Sequence, residues 1–264
     1  MMEVAKKAAF AAAEVLLENF GKITRSDIRE KSKNDFLTFV DEKSENTIMD
    51  IIHGAFPYHD ILAEETGGKR QESAYKWIID PLDGTKNYIS GIPIFGISIA
   101  LMYNSKIILG VVLDPVHDEL FTAEKDQGAF LNGTAVTVSS KDHLKTCLLA
   151  TGFPFKNKNF LQAYSDSFKD IFNATSGVRR MGAACIDLAY LAAGRFDGFW
   201  ELGLSPWDVA AGSLIIKEAG GVVSDFWGAA DYLYKKYYVA SNGLIHDQIL
   251  KILHHHFPRF VKIE

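Results

Sequence analysis

The sequence predicts an α/β protein of layered sheets and helices, with an α+β first half and an α/β second half. Three observations predict it. Apolar runs in the middle of the chain are joined by paired turn residues, the mark of hairpins. From Cys147 onward, runs of strand length alternate with runs of helical period. No repeat, low-complexity tract or Pro/Ser-rich linker breaks the chain into tethered modules. With 264 residues, 48% of them hydrophobic, it can bury a large core. The halves are placed at 1–146 and 147–264 within one unit.

The opening residues carry Ala and Leu interrupted by Glu3, Lys6, Lys7, Glu14 and Glu18 at helical spacing, which predicts an amphipathic helix over about 3–20, stopped by Gly21. The charges, with no uninterrupted apolar core or cleavage site after them, argue against reading the stretch as a signal peptide. A second helical pattern covers about 42–56. Two apolar runs meeting at Asn104-Ser105 predict a hairpin, and turn chemistry at Gln127-Gly128 and Asn132-Gly133 predicts more. In the second half, "CLLATG", "FDGFWEL", "GVVSDF" and "YYVAS" read as strands. Residues 159–173, "AACIDLAYLAAG", "PWDVAAGSLIIKEAGG" and about 245–255 read as helices.

The net charge of −5, with no Lys/Arg-rich block, argues against a nucleic-acid partner held by bulk charge. No stretch of eighteen apolar residues occurs, so no membrane span is expected. Two cysteines, Cys147 and Cys185, cannot build a disulfide framework; they suggest a reducing cytoplasm and read as core packing.

The chemistry gathers in "WIIDPLDGTKNY", where an apolar strand runs into two carboxylates, Asp80 and Asp83, around Pro81. Asp, Pro and Gly also make an ordinary rigid turn. Against that, neighbouring carboxylates in a partly buried site repel unless a cation neutralises them. Hard cations such as Mg²⁺ take oxygen clusters of this kind, and the Leu82 carbonyl adds a donor. Gly84 and Thr85 open a short turn whose free N–H groups suit a phosphate. Phosphatases with an Asp-x-Asp-Gly-Thr nucleophile are excluded, because Pro81 stands where their nucleophile would be.

Other acids have two readings. Glu64 and Glu65 in "AEETGG" suit a solvated loop. Asp208 falls three residues after Ser205, with Pro206 between, and Asp41 falls three after Thr38; both spacings are capping boxes, and spacing alone favours capping.

These segments, in this order, resemble the inositol monophosphatase family. "WIIDPLDGTKNY" is similar to its Asp-Pro-Ile/Leu-Asp-Gly-Thr-x-Asn-Phe/Tyr signature, "PWDVAAGSLIIKEAGG" to its Trp-Asp-x-Ala-Ala-Gly signature, and "AEET" and "DFLTFVD" to its upstream acidic segments. The resemblance covers nearly the whole chain, and "RRMGAACIDLAYLAAGRFDGFWELGLSPWD" resembles the bacterial inositol-1-monophosphatase branch. It implies an α-β-α-β-α sandwich of the sugar phosphatase type. It also implies metal ligands at Glu64, Asp80, the Leu82 carbonyl, Asp83 and Asp208, for two or three Mg²⁺ with Mn²⁺ as a substitute. Thr85, assisted by Asp41 and Glu64, would orient the attacking water. The N–H groups of Gly84 and Thr85 would hold the phosphate. Glu201, Asp208 and the backbone at Ala183 and Ala184 would meet the substrate. Lys31 and Lys33 fall in a charged segment that is a mobile loop in relatives.

The implied reaction is hydrolysis of myo-inositol 1-phosphate by metal-activated water. Fructose-1,6-bisphosphatase or dual activity is the alternative, with Arg179, Arg180, Arg195 or Lys31 as candidate cations for a second phosphate. A 3′-phosphoadenosine 5′-phosphate nucleotidase and a non-catalytic regulatory protein are weaker ones. A homodimer, inhibition by Li⁺ and a contact with the transcription machinery rest on the resemblance alone.

Overall fold

Five layers, helix–sheet–helix–sheet–helix, stack in the computed structural model, which describes residues 1–32, 35–68, 70, 72–154 and 158–257. The first layer holds α1 (Met2–Asn19) and α2 (Phe39–Ala55). Ala5, Ala8, Ala9, Ala12 and Leu16 are buried along one stripe of α1, which packs on α2 and the sheet beneath. The chain then turns through Gly21, at φ +75°. Helix α2 begins three residues before the apolar pattern does, because its capping box at Thr38 sets the start. Between them β1 (Ile28–Ser32) and β2 (Asp35–Thr38) pair antiparallel where the sequence suggests a charged loop. Lys33 and the Lys31 side chain lie outside the described residues.

The second layer is a seven-stranded sheet in chain order: β3 (Asp60–Ala63), β4 (Tyr75–Asp83), β5 (Gly96–Tyr103), β6 (Lys106–Asp114), β7 (Glu119–Glu124), β8 (Ala129–Leu131) and β9 (Thr134–Val136). The pair β3–β4 is parallel and the others antiparallel. Asn104 and Ser105 both take positive φ, 45° and 64°, the turn that matches the twist of a two-residue hairpin. A short helix, α3 (Thr85–Ile89), follows β4.

The second sheet is ordered β11-β10-β12-β14-β13, from β10 (Leu148–Thr151), β11 (Gly177–Arg179), β12 (Gly198–Leu202), β13 (Val222–Ser224) and β14 (Tyr237–Ser241). Helices α4 (Leu161–Ala174) and α7 (His246–His256) cover its outer face. Between the sheets lie α5 (Ala184–Ala192) and α6 (Pro206–Glu218), with a core drawn from both halves of the chain.

Small residues let α6 sit that close. A Cβ at Gly110 of β6 would come within 2.8 Å of the Ala211 carbonyl oxygen, and one at Gly212 within 2.7 Å of Leu188 Cβ. Cys147 and Cys185 are free and buried, and burial pushes both thiols up. No described helix is long and apolar enough to cross a membrane.

Candidate active site

Simple alternation along β4 would put Asp80 and Asp83 on opposite faces. Asp80 opposes Ser98 on β5, whereas Asp83 opposes Gly96, so β4 carries one extra residue between them. That bulge reverses the parity and turns both carboxyls to one face. Pro81, which has no N–H for a ladder, sits inside it. Its carbonyl accepts from Ser44 Oγ of α2 at 2.9 Å. The shared face looks to the middle layer. Ser98 Oγ donates to the Trp207 carbonyl at 3.0 Å, and the Cys185 N–H donates to Asp83 Oδ2 at 2.5 Å.

Two more acids arrive at this face. In the parallel pairing Ala63 lies beside Ile79, so Glu64 emerges next to Asp80. The loop after it is clamped by the buried Glu45 carboxylate, which accepts from the N–H groups of Glu65 (2.8 Å) and Thr66 (2.9 Å). Asp208 caps α6, accepting from the Ser205 N–H at 2.6 Å, and also lines the cavity described below. A carboxylate has lone pairs enough for both tasks.

The acids feel one another. Burial, then repulsion from Glu64, Asp83 and Asp208, holds the Asp80 carboxyl well above the usual carboxylate range. Burial lifts Asp83 to about 6, against the hydrogen bonds from Cys185. Burial lifts Glu201 to about 8, partly offset by the Arg180 guanidinium. Asp83 and Glu201 are only partly buried, so cavity water screens some of this repulsion. Among the described residues no three His, Cys, Asp or Glu already form a closed ligand group. The donors are all oxygen and mostly anionic, which fits a hard divalent cation. Glu64, Asp80, Asp83 and Asp208, with the Leu82 carbonyl, could hold one.

Beside them, Thr85 Oγ1 lies 3.2 Å from Asp41 Oδ1 and 3.1 Å from the Leu82 carbonyl. Asp41 is fixed from its other oxygen, which accepts from the Thr38 N–H (2.8 Å) and hydroxyl (2.6 Å). The capping reading of Asp41 is thus true and incomplete. Gly84 sits at φ +93°, and a Cβ there would meet Ala183 Cβ and the Ile94 carbonyl oxygen at 3.1 Å. Asn87 joins these segments, donating to the carbonyls of Ile94 (2.8 Å) and Met181 (2.9 Å).

A cavity of about 170 Å³ opens here, lined among others by Asp83, Ala183, Ala184, Glu201 and Asp208. Glu64, Asp80, Leu82, Thr85 and Asp41 are not among the residues that line it. Glu64 and Asp80 repel the charge of Asp83, and Thr85 ties Asp41 to the Leu82 carbonyl, next to Asp83 in the chain. Of the arginines considered for a second phosphate, Arg180 alone lines it. Arg195 pairs instead with Glu119 and stacks on Tyr190, and Arg179 is exposed and donates to the Val178 carbonyl. Sequence reasoning missed Lys86, Gly152 and Asp187 on the wall, and Glu45 and Asn87 behind it. Nothing local marks them, because their partners are distant in sequence.

Gly152 is legible only in space. A Cβ there would lie 2.0 Å from Glu201 Cδ, so the glycine makes room for that carboxyl. On the substrate role that the family resemblance implies for Glu201, Gly152→Ala is expected to push that carboxyl aside and raise KM about tenfold, the worth of one hydrogen bond. The melting temperature should move by only a few degrees, because a flexible side-chain end yields cheaply. Steady-state kinetics beside a thermal melt check both.

The family described as the inositol monophosphatase family matches residues 1–257 of the chain. The Nus factor SuhB of Pseudomonas aeruginosa is 43% identical over 99% of this chain and 98% of that protein. The fructose-1,6-bisphosphatase/inositol-1-monophosphatase of Aquifex aeolicus is 42% identical over 95% and 94%. Among solved structures, the extragenic suppressor protein suhB from Bartonella henselae superposes with a TM-score of 0.92 at 38% identity, covering 98% of this chain and 99% of that one. The inositol monophosphatase from Anabaena gives 0.87 at 38% identity, covering 98% and 96%.

Proposed function

Because this chain belongs to the inositol monophosphatase family, a family of phosphatases, we propose that it is a Mg²⁺-dependent phosphomonoesterase that converts myo-inositol 1-phosphate to myo-inositol and phosphate. The observation that carries the reading is one cavity wall where Asp83 and Asp208, in mutual repulsion with Asp80, lie alongside Ala183, Ala184 and Glu201.

Glu64, Asp80, Asp83, Asp208 and the Leu82 carbonyl would hold the Mg²⁺. When bound there, the ions would supply positive charge that offsets the phosphate oxygens and makes a water more acidic. The N–H groups of Gly84 and Thr85 donate to the phosphate. Thr85 Oγ1, donating to Asp41, keeps its lone pairs free to accept from the attacking water and aim it in line. Glu201 and the backbone at Ala183 and Ala184 receive the hydroxyls of the alcohol. A water oxygen bonds to phosphorus, the bond to the inositol oxygen breaks, and that oxygen leaves with the proton the attacking water gives up.

Fructose 1,6-bisphosphate, which the name of the Aquifex relative admits, would need a cation for its second phosphate. Arg180 is the candidate, yet its charge is already opposed by Glu201, Asp187 and Asp83. A neutral polyol suits that end better. Phosphate release from inositol 1-phosphate, fructose 1,6-bisphosphate and 3′-phosphoadenosine 5′-phosphate should favour the first at least tenfold in kcat/KM, and a chelator should abolish it. A preference for the bisphosphate would overturn the substrate assignment. The proposal keeps a homodimer, Li⁺ inhibition and a cytoplasmic setting on family grounds. Light scattering and a Li⁺ titration check the first two. A contact with the transcription machinery, suggested by the name of the Pseudomonas relative, would survive a substitution that ends catalysis.

A further inference from the structure

Helix α5 is almost wholly apolar, with eight of its nine residues buried and Asp187 the lone charge among them. The Asp187 residue is 2% exposed, and its Oδ1 has no hydrogen-bond partner among the described residues. A buried oxygen left unpaired is costly, and packing in this helix would favour Leu or Ala. Asp187 also lines the cavity. Its N–H closes the first turn of α5 on the Ala183 carbonyl at 3.1 Å, which places it one turn beyond the backbone that faces substrate. Asp187 shares the cavity wall with Asp83, Arg180 and Glu201.

We propose that Asp187 is a substrate-contact residue that sets specificity, its unpartnered Oδ1 exchanging a hydrogen bond with a ring hydroxyl of a polyol monophosphate beside the one taken by Glu201. The inference rests on the phosphomonoesterase reading above. The two acids would form a hydroxyl-reading part of the cavity wall. A site built to pair with a hydroxyl discriminates strongly against ligands that lack it, because its own polar group is then left unpaired. A monoester with no hydroxyls reaches the phosphate cradle and leaves Asp187 as it is.

The test uses the full-length protein with Mg²⁺ and two substrates, inositol 1-phosphate and the hydroxyl-free p-nitrophenyl phosphate, on wild type, Asp187→Asn and Asp187→Leu. Asp187→Leu should lose roughly ten- to a hundredfold in kcat/KM on inositol 1-phosphate, mostly through KM. Its loss on p-nitrophenyl phosphate should be at least about fivefold smaller, so the ratio of kcat/KM between the two substrates shifts. Asp187→Asn, which keeps hydrogen-bonding capacity in the same shape, should recover most of the loss. Thermal melts establish that the variants fold. Equal losses on both substrates, or no loss on inositol 1-phosphate in folded Asp187→Leu, would overturn the proposal. So would a wild type that hydrolyses p-nitrophenyl phosphate and no polyol phosphate, a result that leaves the phosphatase reading standing. A wild type inactive on both ends that reading first.

Discussion

Asp83→Asn is expected to reduce phosphate release by about a thousandfold or more in kcat, while the metal-free protein stays as stable as its parent or gains stability. The loss follows from the place of Asp83, which shares a face with Asp80, lines the cavity and repels the other acids. Removing one preorganised electrostatic group from such a site costs on the order of a hundred- to a thousandfold, and a proposed metal ligand stands at the upper end. The stability result follows from the same contacts read in reverse. Burial and the charge of Glu64 raise Asp83 to about 6, so at neutral pH its ionised form is held against its environment. Asn carries no charge and still presents an oxygen to the Cys185 N–H. Chemical denaturation with chelator, alongside activity with Mg²⁺, gives both readings. Joint loss of activity and stability would make Asp83 a structural residue.

The second large effect is a dependence of stability on pH that Mg²⁺ removes. Asp80, Asp83 and Glu201 hold protons more tightly folded than unfolded, where they would titrate near 3.8, 3.8 and 4.5. The native state therefore binds more protons, and this stability is complete at low pH and lost as pH rises through about 6 for Asp83 and about 8 for Glu201. At about 1.4 kcal/mol per pKa unit, the Asp83 shift alone amounts to at most about 3 kcal/mol, and cavity water lowers that. His246, buried between Ser224 and Ser241, has the opposite sign, because its pKa is lowered and its contribution fades as pH falls.

Comparing melts with Mg²⁺ and with chelator cancels His246 and isolates the acids. Mg²⁺ should raise the melting temperature by several degrees at pH 8 and by much less at pH 5.5, where protons compete for the same oxygens. A larger Mg²⁺ effect on the acid side would refute the shared acidic site.

Much of the architecture was written locally. The hairpin at Asn104-Ser105, the helix stopped before Gly21, the capping boxes at Thr38 and Ser205 and the alternation after Cys147 all depend on residues close in sequence, where turn chemistry and period act directly. The ribbon of β1 and β2, the edge strand β11 and the short β3 escaped notice. They are three to five residues long and mixed in polarity, and only cross-strand partners define them.

For the site, the sequence by itself determined which acids exist and how the two signatures are spelled. That Asp80 and Asp83 share a face was decided by one extra residue in β4 measured against β5. That Glu201 fits was decided by a missing side chain at Gly152, and that Asp187 Oδ1 finds no partner among the described residues by the layer around α5. The physical reason is range. Caps, turns and period are settled within a few residues, whereas face, clearance and burial belong to pairs of segments that meet only once the sheets have packed.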